Sequence, residues 1–177
     1  MYYEWPNQVM PALPTICSVS PDAIGIAVAP ISLTTIGGSN ATANRAYLIP
    51  FHLAEPILVT KLGLANGAVP AGNIDLGIYD SNFTRIVSSG STAQAGVSVA
   101  QWIDITDTII GPGDFYLALA CSTISPFVSI TLATPTANRS GMLQMASAFP
   151  LPATITPATI ASGVLPMIGL RQGGTAV

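Results

Sequence analysis

Charge is what this chain has least of. Of 177 residues, five are Lys or Arg and eight are Asp or Glu, so 7% are charged and the formal net charge is −3. An ordinary soluble domain carries roughly 25%. Five basic residues cannot lay down a track of phosphate contacts, so no nucleic-acid partner is expected. The chain is interrupted by 16 Gly and 15 Pro, which argues against a long amphipathic helix or coiled coil. Long apolar runs are missing too. The most apolar stretch, Ala23 to Ile36, is broken by Gly25, Pro30, Ser32, Thr34 and Thr35, well short of the roughly 18 residues a membrane helix needs. Aromatics are only 7%, too few for the girdles of an outer-membrane barrel. No membrane partner is expected. Cysteines number two, Cys17 and Cys121. They could form one bridge, but two reduced, partly buried side chains is the simpler reading. Met1 to Pro6 shows no basic stretch ahead of an apolar core, so no secretory signal is expected there. The N-x-S/T triplets at Asn40, Asn82 and Asn138 then read as neutral loop chemistry.

What the chain does have is apolar residues, 50% of the total. A compact monomer of 18.1 kDa exposes on the order of 8,000 Å², roughly 600 Å² for each formal charge. Large uncharged stretches tend to associate. Such a surface is expected to be neutral and polar in part, and in part covered by neighbouring subunits.

Residues 1–22 read as an extended arm. Pro6, Pro11, Pro14 and Pro21 forbid a helix and disfavour a central strand. Yet Tyr2, Tyr3, Trp5, Val9, Met10 and Leu13 are too apolar for a disordered tail, which makes them candidate assembly contacts. From 23 to 134 the pattern is strand, turn, strand. Ile74, Leu76 and Ile78 alternate with Asp75, Gly77 and Tyr79, the sign of a half-buried strand. Phe115, Leu117, Leu119 and Cys121 alternate with Tyr116, Ala118 and Ala120. Ile103 and Ile105 oppose Trp102 and Asp104, and Leu58, Leu62 and Leu64 are expected to share a face. Turn signals fall at Gly37-Gly38, Asn66-Gly67, Asp80-Ser-Asn82, Ser89-Gly90 and Gly111-Pro-Gly113. Pro50 puts its strand at an edge or gives it a bulge. Residues 135–177 drift toward Pro, Ala and Thr and read as extended chain over the sandwich or over a neighbour, with one final strand at 165–171. The fold class is all-β: an antiparallel β-sandwich or jelly roll with an extended Pro-rich N-terminal arm and a C-terminal tail.

Catalysis is poorly served. His52 is the only histidine and Lys61 the only lysine, so bases are few, and His52 reads as a structural or surface residue. Gly37-Gly-Ser-Asn-Ala41 approaches a nucleophile elbow but fails at its last position. Zinc would have to use His52, Cys17 and Cys121 with no local ligand pair to seed the site. Phosphate loops and dinucleotide fingerprints are absent. Asp75, Asp80, Asp104, Asp107 and Asp114 gather near strand ends, where paired acids could cleave a glycoside or hold Ca²⁺. The simpler reading is turn chemistry. No catalytic residue, cofactor or metal is expected. Tyr79, Trp102 and Tyr116 sit at polar-side positions of their strands, where they could stack on a glycan or meet another subunit.

The series Val59-Thr-Lys-Leu-Gly-Leu64, Asn73-Ile-Asp-Leu-Gly-Ile-Tyr-Asp80 and Gly111-Pro-Gly-Asp-Phe-Tyr-Leu-Ala-Leu119 resembles the β-sandwich modules of tailed-bacteriophage virion proteins, found in head decorations and fibres, tail fibres and baseplate appendages. The likeness covers about residues 44–133, and Pro166 to Arg171 fits the closing strand of such modules. It implies a non-enzymatic structural or adhesive subunit of a virion, commonly a homotrimer, bound to a partner such as a major capsid or tail protein. It brings no catalytic set. A glycan- or receptor-binding module is the alternative, and a small hydrolase a distant one.

Overall fold

A computed structural model describes residues 15–20, 23–27, 35–124, 126–131, 134–161 and 163–173, and these described residues form fifteen strands and one short helix. The candidate arm residues Tyr2, Tyr3, Trp5, Val9, Met10 and Leu13 lie outside the described residues. The strands are β1 (Thr15–Ser20), β2 (Ala23–Ala27), β3 (Thr35–Asn40), β4 (Ala46–Leu53), β5 (Ile57–Ala65), β6 (Asn73–Asp80), β7 (Arg85–Ser88) and β8 (Thr92–Ala93). There follow β9 (Ala100–Ile110), β10 (Gly113–Cys121), β11 (Pro126–Thr131), helix α1 (Thr134–Arg139), β12 (Leu143–Met145), β13 (Ala158–Thr159), β14 (Val164–Pro166) and β15 (Ile168–Gln172). One sheet runs β1-β2-β15-β5-β9 and the other β13-β12-β4-β10-β6-β7, with β8 also on β6; β14-β11-β3 form a third, smaller sheet. Every named pairing is antiparallel. The chain is an all-β antiparallel sandwich.

Alternation dictates the core. Ile74, Leu76 and Ile78 of β6 and Phe115, Leu117, Leu119 and Cys121 of β10 point inward. There they meet Val59, Leu62 and Leu64 of β5 and Ile168 and Leu170 of β15, with Ile103 and Ile105 of β9 packed alongside. Phe127 closes the cluster edge-on to Tyr47, 6.2 Å between ring centres. Cys121 is a free thiol buried in this core, and burial pushes it up to about 12, which leaves it inert.

The structure corrects the sequence reading in four places. Leu58 does not join Leu62 and Leu64. A register shift between Val59 and Lys61 turns Val59 inward instead, as a bulge does when it adds a residue to one strand. Gly37 and Gly38 are not a turn; they lie inside β3, opposite Ser129 and Val128. The arm ends earlier than residue 22, because Thr15–Ser20, free of proline, pairs with Ala23–Ala27. The tail holds more than one strand. Its final strand is split into β14 and β15 in separate sheets, and Thr134–Arg139 is helical.

Pro50 lies in a strand that is only partly flanked. β12 pairs with Ala46 to Leu48 of β4 and no further, so among the described residues the half of β4 from Pro50 to Leu53 pairs only with β10. A residue without an N–H is tolerated there. Among the described residues no helix is long and apolar enough to cross a membrane.

Candidate functional site

Tyr79, Trp102 and Tyr116 do not form one surface. Tyr79 and Tyr116 are cross-strand partners on β6 and β10, whereas Trp102 stands on β9 of the other sheet. Tyr79 is fully buried. The cover is the chain's own tail, whose Ala148, Leu151 and Ile155 form a second apolar cluster with Ala46, Leu48, Tyr79, Ala118 and Ala120. β6 is therefore buried on both faces, not on one as its alternation implied.

The outward positions of β6 hold that tail. Asp75 Oδ2 accepts the Leu151 amide at 3.0 Å. A Cβ on Gly77 would come within 2.9 Å of Leu151 Cδ1, so the glycine makes room for that side chain. The Tyr79 hydroxyl donates to the Pro152 carbonyl at 2.7 Å. Arg85 adds two bonds, from its side chain to the Leu151 carbonyl and from its amide to Ala153. Burial raises Asp75 above the usual carboxylate range, opposed in part by the Leu151 amide and the Arg85 charge. Burial likewise pushes Tyr79 up to about 12, so its hydroxyl stays a donor. Asp75, Gly77 and Tyr79 are a clasp, not a ligand platform. Nothing in the sequence pairs them with Leu151, 76 residues beyond Asp75.

Trp102 lies over Gly63 of the neighbouring strand, where a Cβ would meet its ring at 2.5 Å. The Arg171 guanidinium sits 5.1 Å from the ring centre. Its neighbours are Lys61 and Asp104, paired at 2.6 Å.

Tyr116 faces different surroundings. Where β12 stops, a cavity of about 670 Å³ opens, lined among others by Pro50, His52, Ser81, Asp114, Tyr116 and Arg139. The antiparallel register sets Asp114 opposite His52, and His52 Nδ1 lies 2.8 Å from Asp114 Oδ1. A carboxylate can only accept, so Nδ1 carries a proton, and in the neutral ring Nε2 is the acceptor. The Tyr116 ring tilts against Phe83 at 5.1 Å. Phe83 is held at φ 62° in a hairpin tip that Asp80 caps through the amides of Asn82 and Thr84. Sequence reasoning passed over Arg139 and set His52 aside, because only strand register and a missing strand bring them together.

No family model, curated protein or solved structure matches the chain.

The carboxylates are dispersed among separate tasks: Asp75 in the clasp, Asp80 in its cap, Asp104 with Lys61, Asp114 with His52. Among the described residues no three His, Cys, Asp or Glu side chains group as a metal site would require.

A third region stands out by composition. The strand pairs end at Ala65–Ala100 and Ile74–Cys121 on one side of the sandwich, and the loops there are stitched by Asn66 N–H to Val99, Ser98 N–H to Gly67 and Ser122 N–H to Asn73. Residues 65–73, 94–101 and 122–124 contain no charged side chain. Val69, Val97, Val99 and Ile124 are more than half exposed on them. Beneath these tips, the buried Asn66 side chain is held by Gln94, Gln101 and the Ala95 carbonyl.

Proposed function

We propose that this chain is a non-enzymatic structural subunit of a virion, a β-sandwich that decorates or cements a phage head or tail assembly and associates with copies of itself, as a trimer. The observation that carries the reading is the uncharged loop end. Single exposed apolar residues are ordinary, but four on adjoining loops with no charge among them favour association. The likeness of the β5, β6 and β10 segments to phage virion modules supplies the setting. Uncharged surface would pack against symmetry mates or against a capsid or tail protein, and the apolar arm would lie across a neighbour. Aromatic side chains such as Tyr2, Tyr3 and Trp5 can each bury about 150–250 Å² in such a contact.

Light scattering on the purified full chain over a dilution series tests this. The expected result is a discrete oligomer, dissociated by the pair Val97→Asp and Val99→Asp and by deletion of residues 1–14. The deletion stops at Pro14 because β1 begins at Thr15. A monomer at every concentration, or an oligomer indifferent to all these changes, refutes the reading.

A further inference from the structure

We propose that the cavity beside the unflanked half of β4 binds a saccharide bearing a carboxylate group. This stands apart from the assembly reading and rests on a different face of the molecule. At about 670 Å³ the cavity lies within the range of small-molecule sites, roughly 300–1,000 Å³. Its wall combines three chemistries that a charged sugar needs together.

The first is an aromatic face. Tyr116 is half-buried and braced by Phe83, so its ring is held in place before any ligand arrives. Sugars lay their C–H faces on such rings, and a braced ring loses little freedom on binding. The second is a hydroxyl reader. The His52–Asp114 pair leaves His52 Nε2 and the second Asp114 oxygen open, with the side chains 65% and 79% exposed. Two acceptors fixed side by side suit neighbouring hydroxyls.

The third is Arg139, at the last residue of α1, which forms no ion pair among the described residues. A guanidinium fork matches a carboxylate through two parallel hydrogen bonds. The charges decide between anions. Asp114, hydrogen-bonded to an uncharged His52 ring, keeps its own negative charge, and Arg139 is the one guanidinium or ammonium among the described residues that line the cavity. A carboxylate, one negative charge, balances it. A phosphate carries more charge than one guanidinium meets and would stand near the Asp114 carboxylate, which favours the sugar acid.

Saturation-transfer NMR on the full chain, with digalacturonate, a hyaluronan disaccharide and sialyllactose each set against its neutral counterpart, tests the site. The expected result is saturable binding of at least one acidic sugar, about tenfold or more tighter than its counterpart, a gap of about 1.4 kcal/mol. Arg139→Gln should erase that preference, Tyr116→Ala should abolish binding, and Trp102→Ala, on the other sheet, should change nothing. Arg139 is exposed at a helix end, so its variant folds even where Tyr116→Ala does not, as near-ultraviolet circular dichroism would report. No saturable binding of any of the three acids, or equal affinity for acid and neutral sugar untouched by Arg139→Gln, overturns the proposal. A monomeric protein that still binds would overturn the assembly reading alone.

Discussion

The two sheets finish their outer faces differently, and on each a glycine marks how. On β6, Gly77 makes room for Leu151, a side chain from the distant tail. On β5, Gly63 makes room for Trp102, a side chain from the next strand. The first arrangement roofs a sheet with its own chain. Ala46, Ala118 and Ala120 keep the underlying surface low enough for the roof to sit close. The second, among the described residues, sets the Trp102 ring and the Lys61–Asp104 pair on the outer side of β5 and β9 with no strand or tail segment laid over them. Part of the low charge of this chain is thus explained within the molecule: the roofed face needs no solvating charges because it is not in contact with water. On the proposed assembly reading, the area left for neighbours is smaller than composition alone implied, and it centres on the loop end that carries Val69, Val97, Val99 and Ile124.

The sharpest way to break this comparison is to unroof the first face. Leu151 is 1% exposed, and Leu151→Ala should cost about 2–5 kcal/mol in denaturant unfolding, the range for deleting a fully buried leucine. On the open face no single truncation should approach this. A cost below about 1 kcal/mol, the size of an ordinary surface change, would mean that the tail only rests on β6 and that both faces are in effect open.

A smaller effect separates the polar half of the clasp from its apolar half. Burial raises the folded pKa of Asp75 above its ordinary value. Below that value both folded and unfolded chains are protonated there. As pH rises through it, the unfolded chain releases its proton first, so Asp75 lowers stability until the raised folded value is passed, after which the loss levels off. Asp75→Asn keeps an acceptor for the Leu151 amide but cannot ionise. Its stability relative to wild type should therefore climb as pH goes from about 4 towards neutrality. Asp75→Ala, which strands a buried amide, should be about 1–3 kcal/mol less stable than Asp75→Asn at any pH. Unfolding midpoints of the three proteins at several pH values check both statements. A wild-type-to-Asn difference that is flat in pH would show that Asp75 is not desolvated and that the roof admits water.

How far the sequence carried follows from the same residues. Inward alternation in β6, β9 and β10 was readable, because period 2 is imposed by backbone geometry and needs no partner. The bulge at Val59 to Lys61 was not, since Leu58 and Val59 are equally apolar and no turn residue announces the change. Asp75, Gly77 and Tyr79 were placed correctly on the outward side of β6. Their role was hidden, because the segment that uses them lies beyond six more strands and a helix, and an Ala/Pro/Thr run carries no address. The His52–Asp114–Arg139 constellation was hidden for another reason. It depends on where β12 stops, and a strand's end against a neighbour is set by tertiary packing.

The smallest expected effect belongs to the open face, and it bears on assembly. Lys61 and Asp104 approach to 2.6 Å, with side chains 33% and 82% exposed. The distance invites a strong assignment, but exposure decides. A pair in water gains little Coulomb energy, loses side-chain freedom and is screened by salt, so such pairs contribute about 0–1 kcal/mol. A double-mutant cycle with Lys61→Ala and Asp104→Ala should therefore give a coupling under about 1 kcal/mol that fades in concentrated salt. The same cycle run on the assembled protein separates two ways of packing. If only the loop end meets a neighbour, the coupling stays small and salt-sensitive. If the β5–β9 face is buried in the assembly, the surrounding water is gone, screening fails, and the coupling grows and persists in salt. A persistent coupling would move the contact surface from the loop end to this sheet and make Trp102, not Val97 and Val99, the residue to change.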